Sequence, residues 1–209
     1  MLKYLKKTFS IFLIFNLTFV SSAQAAATFD DINGDGTGFD VSDQGTNPES
    51  VAFNNDGTKM FVVDKAHEEI NVYTLTTGFD LSTATFNDIN GDGTGFDVSG
   101  QEANPRSIEF NNDGTKMFLV GTSGDDVNVY NLSTGFDLLT ATFNDINGDG
   151  SGFSVEAQDN RARGITFNND GTKMFMVGLQ NEAINEYTLS VGFDLTSTVT
   201  HVDSFDISS

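Results

Sequence analysis

A repeat of 57 residues constrains this chain more than any other feature. Equivalent residues recur at this spacing without a gap, as Phe29, Phe86 and Phe143 do. The units are residues 28–84, 85–141 and 142–198, and residues 199–209 form a partial outer strand after the third unit. Tandem units of this length indicate one supersecondary element that is stacked several times, so that each copy covers a face of its neighbour.

Each unit contains four strand signals. In the first unit we predict strands at residues 50–53, 59–63, 70–75 and 83–89. The segment N-N-D-G, at residues 54–57, joins the first two strands in a tight turn, because its Gly supplies the positive φ that such a turn needs. The second strand, K-M-F-V-V, is apolar on both faces and must be covered on both sides. The chain is therefore predicted to be all-β, built from four-stranded antiparallel units.

The repeat resembles a known family. F-N-N-D-G-T-K-M-F-V-V, at Phe53–Val63, resembles the first hairpin of blades in TolB-like, YVTN and WD-repeat-like bacterial β-propellers, where F-x-P-D-G-x-x-L-Y-V recurs. I-N-V-Y-T-L-T-T-G, at Ile70–Gly78, is similar to their third strand and following turn. The resemblance implies tandem four-stranded blades in a β-propeller-like array. The sequence departs from the family at Asn55, which replaces the usual Pro, and in its insert D-I-N-G-D-G-T-G, which we place between the outer strand and the link to the next blade.

The number of blades leaves three alternatives open. Propellers usually have about 4 to 8 blades, whereas three units are found. Residues 27–32 and 199–208 both read as outer strands, and no further inner strand follows. The chain is thus the amino-terminal part of a longer propeller, or a homo-oligomer completes a ring, or the array stays open. The ending S-F-D-I-S-S favours the first alternative, because earlier copies continue from this point into the next inner strand.

The first 25 residues predict a signal peptide. Three Lys residues precede a mostly apolar run at residues 9–20, and Ala23-Gln24-Ala25 is an A-x-A cleavage site. The run is shorter than the roughly 20 residues that span a bilayer, and no later segment is apolar enough to insert into a membrane. We expect a bacterial protein that is secreted, periplasmic or attached to the cell surface.

The charge of the chain limits its partners. The formal charge is −20, from 10 basic and 30 acidic residues. Loss of the three signal-peptide Lys leaves 7 basic residues and a charge of −23. This charge argues against nucleic acid as a partner and suits an acidic protein that binds an extracellular ligand or protein. The chain has no Cys, so packing or metal must supply the stability that disulfides give other exported proteins.

The insert has the oxygen spacing of a calcium loop. Calcium takes six to eight oxygen ligands, commonly from alternate positions of a tight loop with Gly at the sixth. Positions one, three, five and seven are Asp31, Asn33, Asp35 and Thr37, then Asp88, Asn90, Asp92 and Thr94, then Asp145, Asn147, Asp149 and Ser151. No helices flank these loops, so they are not EF-hands. The alternative is an Asx- and Gly-rich turn whose acids are solvated.

The closing acid of the loop differs among the copies. Position ten is Asp40, Asp97 and then Ser154, whereas position twelve is Ser42, Ser99 and then Glu156. The third copy has lost one acid and gained another two residues later. This exchange favours a calcium loop that keeps a constant number of acidic ligands, with a structural role at the blade edge.

Sequence divergence is predicted to fall on one face of the blades. The turns N-N-D-G-T-K and G-F-D-L are identical in all three units, whereas the loop after the second strand and the link between blades differ. The divergence indicates either drift or a binding face that varies from blade to blade. The candidates for contact with a carboxylate or sulfate on this face are Arg106, Arg161 and Arg163. Alternatively, such an Arg pairs with an acid of the neighbouring blade, as Arg106 with Glu49.

The sequence contains no signature of catalysis. Its two His residues, His67 and His201, do not recur in the repeat, and no G-x-S-x-G, H-E-x-x-H or phosphate-binding glycine loop occurs. We therefore predict a non-catalytic protein that acts in extracellular binding or surface interaction. The alternative is an amino-terminal fragment of a larger extracellular propeller enzyme, such as a lactonase-like hydrolase.

Overall fold

A computed structural model describes residues 37–208 as three successive antiparallel sheets, which we call blades 1 to 3. Blade 1 contains β1 (Pro48–Phe53), β2 (Lys59–Asp64), β3 (Glu69–Leu75), β4 (Ala84–Phe86) and β5 (Phe96–Asp97). Blade 2 contains β6 (Pro105–Phe110), β7 (Lys116–Gly121), β8 (Asp126–Leu132), β9 (Ala141–Phe143) and β10 (Phe153–Ser154). Blade 3 contains β11 (Ala162–Phe167), β12 (Lys173–Gly178), β13 (Ala183–Leu189) and β14 (Val199–Asp206). The predicted all-β, propeller-like fold is confirmed, and residues 37–208 form no closed ring.

The outer strand of blades 1 and 2 differs from the prediction. In blade 1, β4 pairs with the second half of β3, from Tyr73 to Leu75, and β5 pairs with its start, at Glu69 and Ile70. The D-I-N-G-D-G insert therefore interrupts the outer strand, and its placement between the outer strand and the link was wrong. Blade 3 has no insert after β13, and β14 pairs with β13 along its whole length.

The core lies between blades. One cluster joins Phe61, Val63, Ile70 and Val72 of blade 1 to Met117, Leu119 and Tyr130 of blade 2. A second cluster repeats this arrangement 57 residues later, between blades 2 and 3. Residues of β2 and β7 are buried on both faces, as their apolar sequences predicted. Each buried Val, Ile or Phe contributes about 1.5–3 kcal/mol through burial of apolar area, so the interfaces between blades hold the array together.

The invariant turns are held by mutual packing. Gly57, at φ +71°, lies against the ring of Phe79, and a Cβ at Gly57 would collide with that ring. The Phe79 N–H donates to the Gly57 carbonyl at 3.0 Å. The Lys59 Nζ donates to the Phe136 carbonyl of the next blade at 2.9 Å. Turn geometry and contact between blades therefore explain why these segments have not diverged.

Candidate functional site

The divergent segments form one surface, which we call the loop face. It consists of the links 43–50, 100–107 and 157–164 and the loops 64–69, 121–126 and 178–183. In blade 1 the Lys65 N–H donates to the Asn47 carbonyl at 3.0 Å, which joins the loop to the link. The equivalent bonds in blades 2 and 3 are 3.2 and 3.1 Å long. The prediction that link and loop share one face is therefore confirmed.

A β-bulge lies at the same place in each blade. The pairing register shifts between Pro48 and Ser50 in blade 1, and the shift repeats at 57-residue spacing in blades 2 and 3. The residues at the bulges are Glu49, Arg106 and Arg163. Bulges re-aim side chains and are common beside functional sites. The inner strand β6 contacts both β1 and β11, so the bulges place these three side chains in a row.

The row contains one ion pair between blades. The Arg106 guanidinium contacts the Glu49 carboxylate, and both side chains are mostly buried. This pair confirms the alternative interpretation of Arg106 and removes it from the free cations of the loop face. Arg163 is exposed, as is Arg161 on the other side of buried Ala162. Within residues 37–208, neither Arg161 nor Arg163 forms an ion pair.

A buried carboxylate lies beneath each part of the loop face, although different positions of the repeat supply it. In blade 1 it is Asp64, at the end of β2, with Gly45 opposite. In blade 2 it is Glu102, from the link, and Gly121 lies at the position of Asp64. Blade 3 follows blade 2, with Asp159 opposite Gly178. Each carboxylate fills the space that the opposite Gly leaves. In every blade one of the two opposed positions is therefore an acid and the other is Gly, but blade 1 has them the other way round from blades 2 and 3.

The same backbone amides bind the carboxylate in all three blades. The Asn47 N–H donates to Asp64 Oδ1 at 2.7 Å, and the His67 N–H donates to Asp64 Oδ2 at 3.0 Å. In blade 2 the N–H groups of Asn104 and Gly124 donate to Glu102 at 2.7 and 3.1 Å. In blade 3 the N–H groups of Arg161 and Asn181 donate to Asp159 at 2.7 and 2.8 Å. The carboxylate thus fixes the backbone of the link against that of the loop. Sequence analysis missed this arrangement because it compared the copies one position at a time.

A second buried acid anchors the insert. The Gly95 N–H, immediately before β5, donates to Glu69 Oε2 at 3.0 Å, and the Gly152 N–H donates to Asp126 Oδ2 at 2.6 Å. Burial raises the pKa of Asp126, and the Glu102 carboxylate adds to the rise. Blade 3 lacks both the insert after β13 and the acid, because Ala183 occupies this position. The acid therefore accompanies the insert.

The inserts are tight turns in which the acids accept N–H groups. Asp88 Oδ1 accepts from Gly91 at 2.7 Å, and its Oδ2 accepts from Gly93 at 2.9 Å. Asp92 Oδ1 accepts from the Thr94 hydroxyl at 2.7 Å, which lowers the pKa of Asp92. The second insert repeats the first and third of these contacts, from the Gly148 N–H to Asp145 Oδ1 and from the Ser151 hydroxyl to Asp149 Oδ1. The Asn90 amide reaches the Gly95 carbonyl at 2.9 Å. The turn alternative accounts for this geometry without an ion, and calcium binding stays a prediction.

The acids at positions ten and twelve make contacts of their own. Asp40 and Asp97 each accept the N–H of the residue two positions later, at 2.8 Å. Glu156 is exposed, and its charge raises the pKa of Asp125 in the loop after β7, where burial is the larger cause. Thr37 is exposed at the start of the described chain. Asp31, Asn33 and Asp35 lie outside the described residues.

Blade 3 leaves one face uncovered. Ile184 is 38% exposed, although its counterparts Ile70 and Val127 are fully buried. Phe205 pairs with Ile184 in the sheet, at the position that Phe96 takes opposite Ile70, and is 70% exposed. An open apolar groove of about 270 Å³ lies on this face and includes Ile184. The face has the residues of an interface between blades and no blade beside it in residues 37–208.

Comparisons with known proteins identify the fold. No protein-family model matches the chain, and no curated protein is similar to it in sequence. The structure is similar to a candidate 6-phosphogluconolactonase of Bacteroides uniformis, with a TM-score of 0.51 and 13% identity over 78% of this chain and 45% of that one. The fold is that of β-propeller blades. No helix of the described residues is long and apolar enough to cross a bilayer.

Two further similarities are weaker. A candidate 6-phosphogluconolactonase of Bacteroides fragilis has a TM-score of 0.49 and 18% identity, over 75% of this chain and 41% of that one. A periplasmic gluconolactonase of Pseudomonas aeruginosa has a TM-score of 0.47 and 13% identity, over 77% of this chain and 41% of that one. The chain spans less than half the length of all three structures.

Proposed function

We propose that this chain is an exported, non-catalytic binding protein that recognises an acidic extracellular ligand with its loop face. The observation that carries the proposal is the constant frame beneath a variable surface. One buried carboxylate holds the same two amides in each blade, whereas the side chains above them differ, as at Lys65, Thr122 and Leu179. A rigid scaffold that carries variable loops is the usual arrangement of a binding surface.

The exposed cations of the loop face indicate the class of ligand. Arg163 lies in the bulge of blade 3, and Arg161 lies beside it. A guanidinium binds carboxylate or sulfate through two parallel hydrogen bonds. Because the whole chain is strongly acidic, anionic ligands would bind only where such local cations outweigh the net charge. We therefore expect an acidic polysaccharide as the ligand, and no nucleic acid.

Binding to two acidic polysaccharides tests this proposal. Titration calorimetry of the mature protein (residues 26–209) with polygalacturonate and with dextran sulfate distinguishes carboxylate from sulfate. We expect binding to one of them, at least ten-fold weaker after Arg161→Ala with Arg163→Ala. Arg106→Ala is the matched control, because Arg106 is already paired with Glu49. No binding by the unaltered protein, or equal binding by the double variant, would contradict the proposal.

A second candidate function is a lactonase-like hydrolase of which this chain is a part. Its support is a groove of about 310 Å³ between β1 and β6 that contains Glu109, where burial raises the pKa of the carboxyl group. Burial favours the protonated form of this carboxyl group, which is the form that acts as a general acid. Turnover of gluconolactone that is lost in Glu109→Gln would favour this function over the first.

A further inference from the structure

We propose that Asp64, His67 and Glu69 form a site for one divalent transition-metal ion, with zinc as the reference ion. The ligand atoms of these three side chains all lie within 4.8 Å of one another, and they are the only such group among residues 37–208. This site is separate from the calcium prediction, which concerns the inserts, and it does not depend on the proposed function.

The fold brings the three side chains together. Asp64 ends β2 and Glu69 begins β3, and the two residues are opposite each other in the antiparallel register. Both carboxylates are buried, and His67 from the connecting loop lies over them with its side chain half exposed. No Lys or Arg of the described residues pairs with either carboxylate. Two buried carboxylates without a strong cation are costly, and a divalent ion would remove that cost.

The hydrogen bonds leave coordination positions available. Asp64 Oδ1 accepts from the Asn47 N–H, and Asp64 Oδ2 accepts from the His67 N–H at 3.0 Å and lies 2.5 Å from His67 Nδ1. Each carboxylate oxygen has a second lone pair, which is the position left for an ion. Glu69 accepts one hydrogen bond from the described residues, on Oε2 from Gly95. Zinc–ligand distances of about 2.0–2.2 Å place tetrahedral ligands roughly 3.4 Å apart. The half-exposed imidazole therefore has to move by about 1 Å to admit the ion between His67 Nδ1 and Asp64 Oδ2.

A buried amide lies on the same strand as Glu69. Asn71 is 1% exposed and lies on the same face of β3 as Glu69, two residues later. Its Nδ2 donates to the Gln44 carbonyl, and its Oδ1 has no hydrogen-bond partner. In blade 2 the equivalent Asn128 donates to Asp126 at 2.8 Å, a bond that Glu69 lacks. The Asn128 Oδ1 also has no partner among the described residues, so this oxygen is a feature of the repeat and the proposal rests on the three ligand side chains themselves.

The other blades supply natural controls. The positions of Asp64, His67 and Glu69 are Gly121, Gly124 and Asp126 in blade 2, and Gly178, Asn181 and Ala183 in blade 3. Only blade 1 therefore combines one imidazole with two carboxylates, a set that suits zinc, cobalt or manganese. Calcium prefers oxygen ligands alone, so the imidazole distinguishes this site from the inserts.

Metal titration of the mature protein tests the proposal. After removal of metals with a chelator, we expect one equivalent of Co²⁺ to give visible d–d absorption bands and one equivalent of Zn²⁺ to displace it. His67→Gly and His67→Asn, which copy blades 2 and 3, should weaken binding at least ten-fold. Both variants should fold, because the His67 side chain is half exposed.

The other His residue provides the matched control. His201→Gly removes an exposed imidazole in β14 that belongs to no three-ligand group of the described residues, and should leave Co²⁺ binding unchanged. The proposal is overturned if the unaltered protein binds neither ion, or if the His67 variants bind as tightly as the unaltered protein. It is also overturned if binding is lost in His201→Gly.

Discussion

The exchange of the buried carboxylate predicts that blade 1 can be converted to the arrangement of blade 3. The conversion combines Gly45→Asp with Asp64→Gly, which moves the acid from the end of β2 to the preceding link. Gly45 does not have a left-handed φ, so Asp is compatible with its backbone. The N–H groups that bind the acid of blade 3 are the repeat equivalents of those that bind Asp64.

The single changes should each be costly. Asp64→Gly removes a carboxylate that is 0% exposed and leaves the N–H groups of Asn47 and His67 without their acceptor. Each orphaned buried donor costs about 1–3 kcal/mol, so we expect a loss of about 3 kcal/mol. Gly45→Asp places a Cβ 2.9 Å from the Asp64 Cγ and a second carboxylate beside the first, at a cost of about 2 kcal/mol.

The double variant tests whether one carboxylate at either of the two positions is sufficient. It restores one carboxylate and one Gly, so we expect a loss of at most about 1 kcal/mol and a coupling energy of about 4 kcal/mol between the sites. Urea denaturation followed by circular dichroism gives these free energies. In a thermal scan, Asp64→Gly should lower Tm by about 6–12 °C. The reciprocal pair, Asp159→Gly with Gly178→Asp, should behave alike. A double variant that loses the sum, about 5 kcal/mol, would refute the reasoning.

Three further predictions concern the inserts, the tyrosines and the uncovered face. Calcium should raise the Tm of the mature protein and Asp92→Ala with Asp149→Ala should reduce that rise, whereas identical melting curves in calcium and chelator would contradict it. Burial raises the pKa of Tyr73 to about 12, above the unfolded value of about 10. The stability that depends on neutral Tyr73 is therefore complete below pH ~10 and should be lost between pH ~10 and ~12. Tyrosinate absorbance at 295 nm should appear only on unfolding. In sedimentation, copies of the Phe39→Ala variant should associate through the uncovered face of blade 3, and the double variant Phe39→Ala with Phe205→Asp should stay monomeric. Two monomeric variants would exclude end-to-end association.

Much of the fold could be predicted because its local signals are strong. The N-N-D-G turn at residues 54–57 and the two-sided apolar strand at 59–63 predicted the first hairpin of blade 1 to within two residues. The interruption of the outer strand could not be predicted in this way. It depends on Glu69, which lies 26 residues before its partner Gly95 and carries no local strand or turn signal.

The candidate site was predictable in its position and not in its framework. The divergence of links and loops correctly placed them on one face, because turns alternate between the two ends of an antiparallel sheet. Blade 1 has Gly45 and Asp64 where blade 2 has Glu102 and Gly121, and this difference is visible in the sequence. It can be interpreted as an exchange of one acid only when the two positions are known to be in contact. Pairing in three dimensions supplies that fact.

The uncovered face of blade 3 limits how a second copy can complete a ring. Phe39 packs on Tyr73 of blade 1 with ring centroids 5.5 Å apart, as Phe96 packs on Tyr130 of blade 2 at 5.6 Å. Phe205 has the same place in the sheet register as Phe96. An adjoining blade would therefore cover Phe205 with a tyrosine equivalent to Tyr130. In a second copy, Phe39 already covers that tyrosine. Ring closure by copies of this chain thus requires the segment around Phe39 to leave blade 1, whereas a blade without such a preceding segment would fit the face directly.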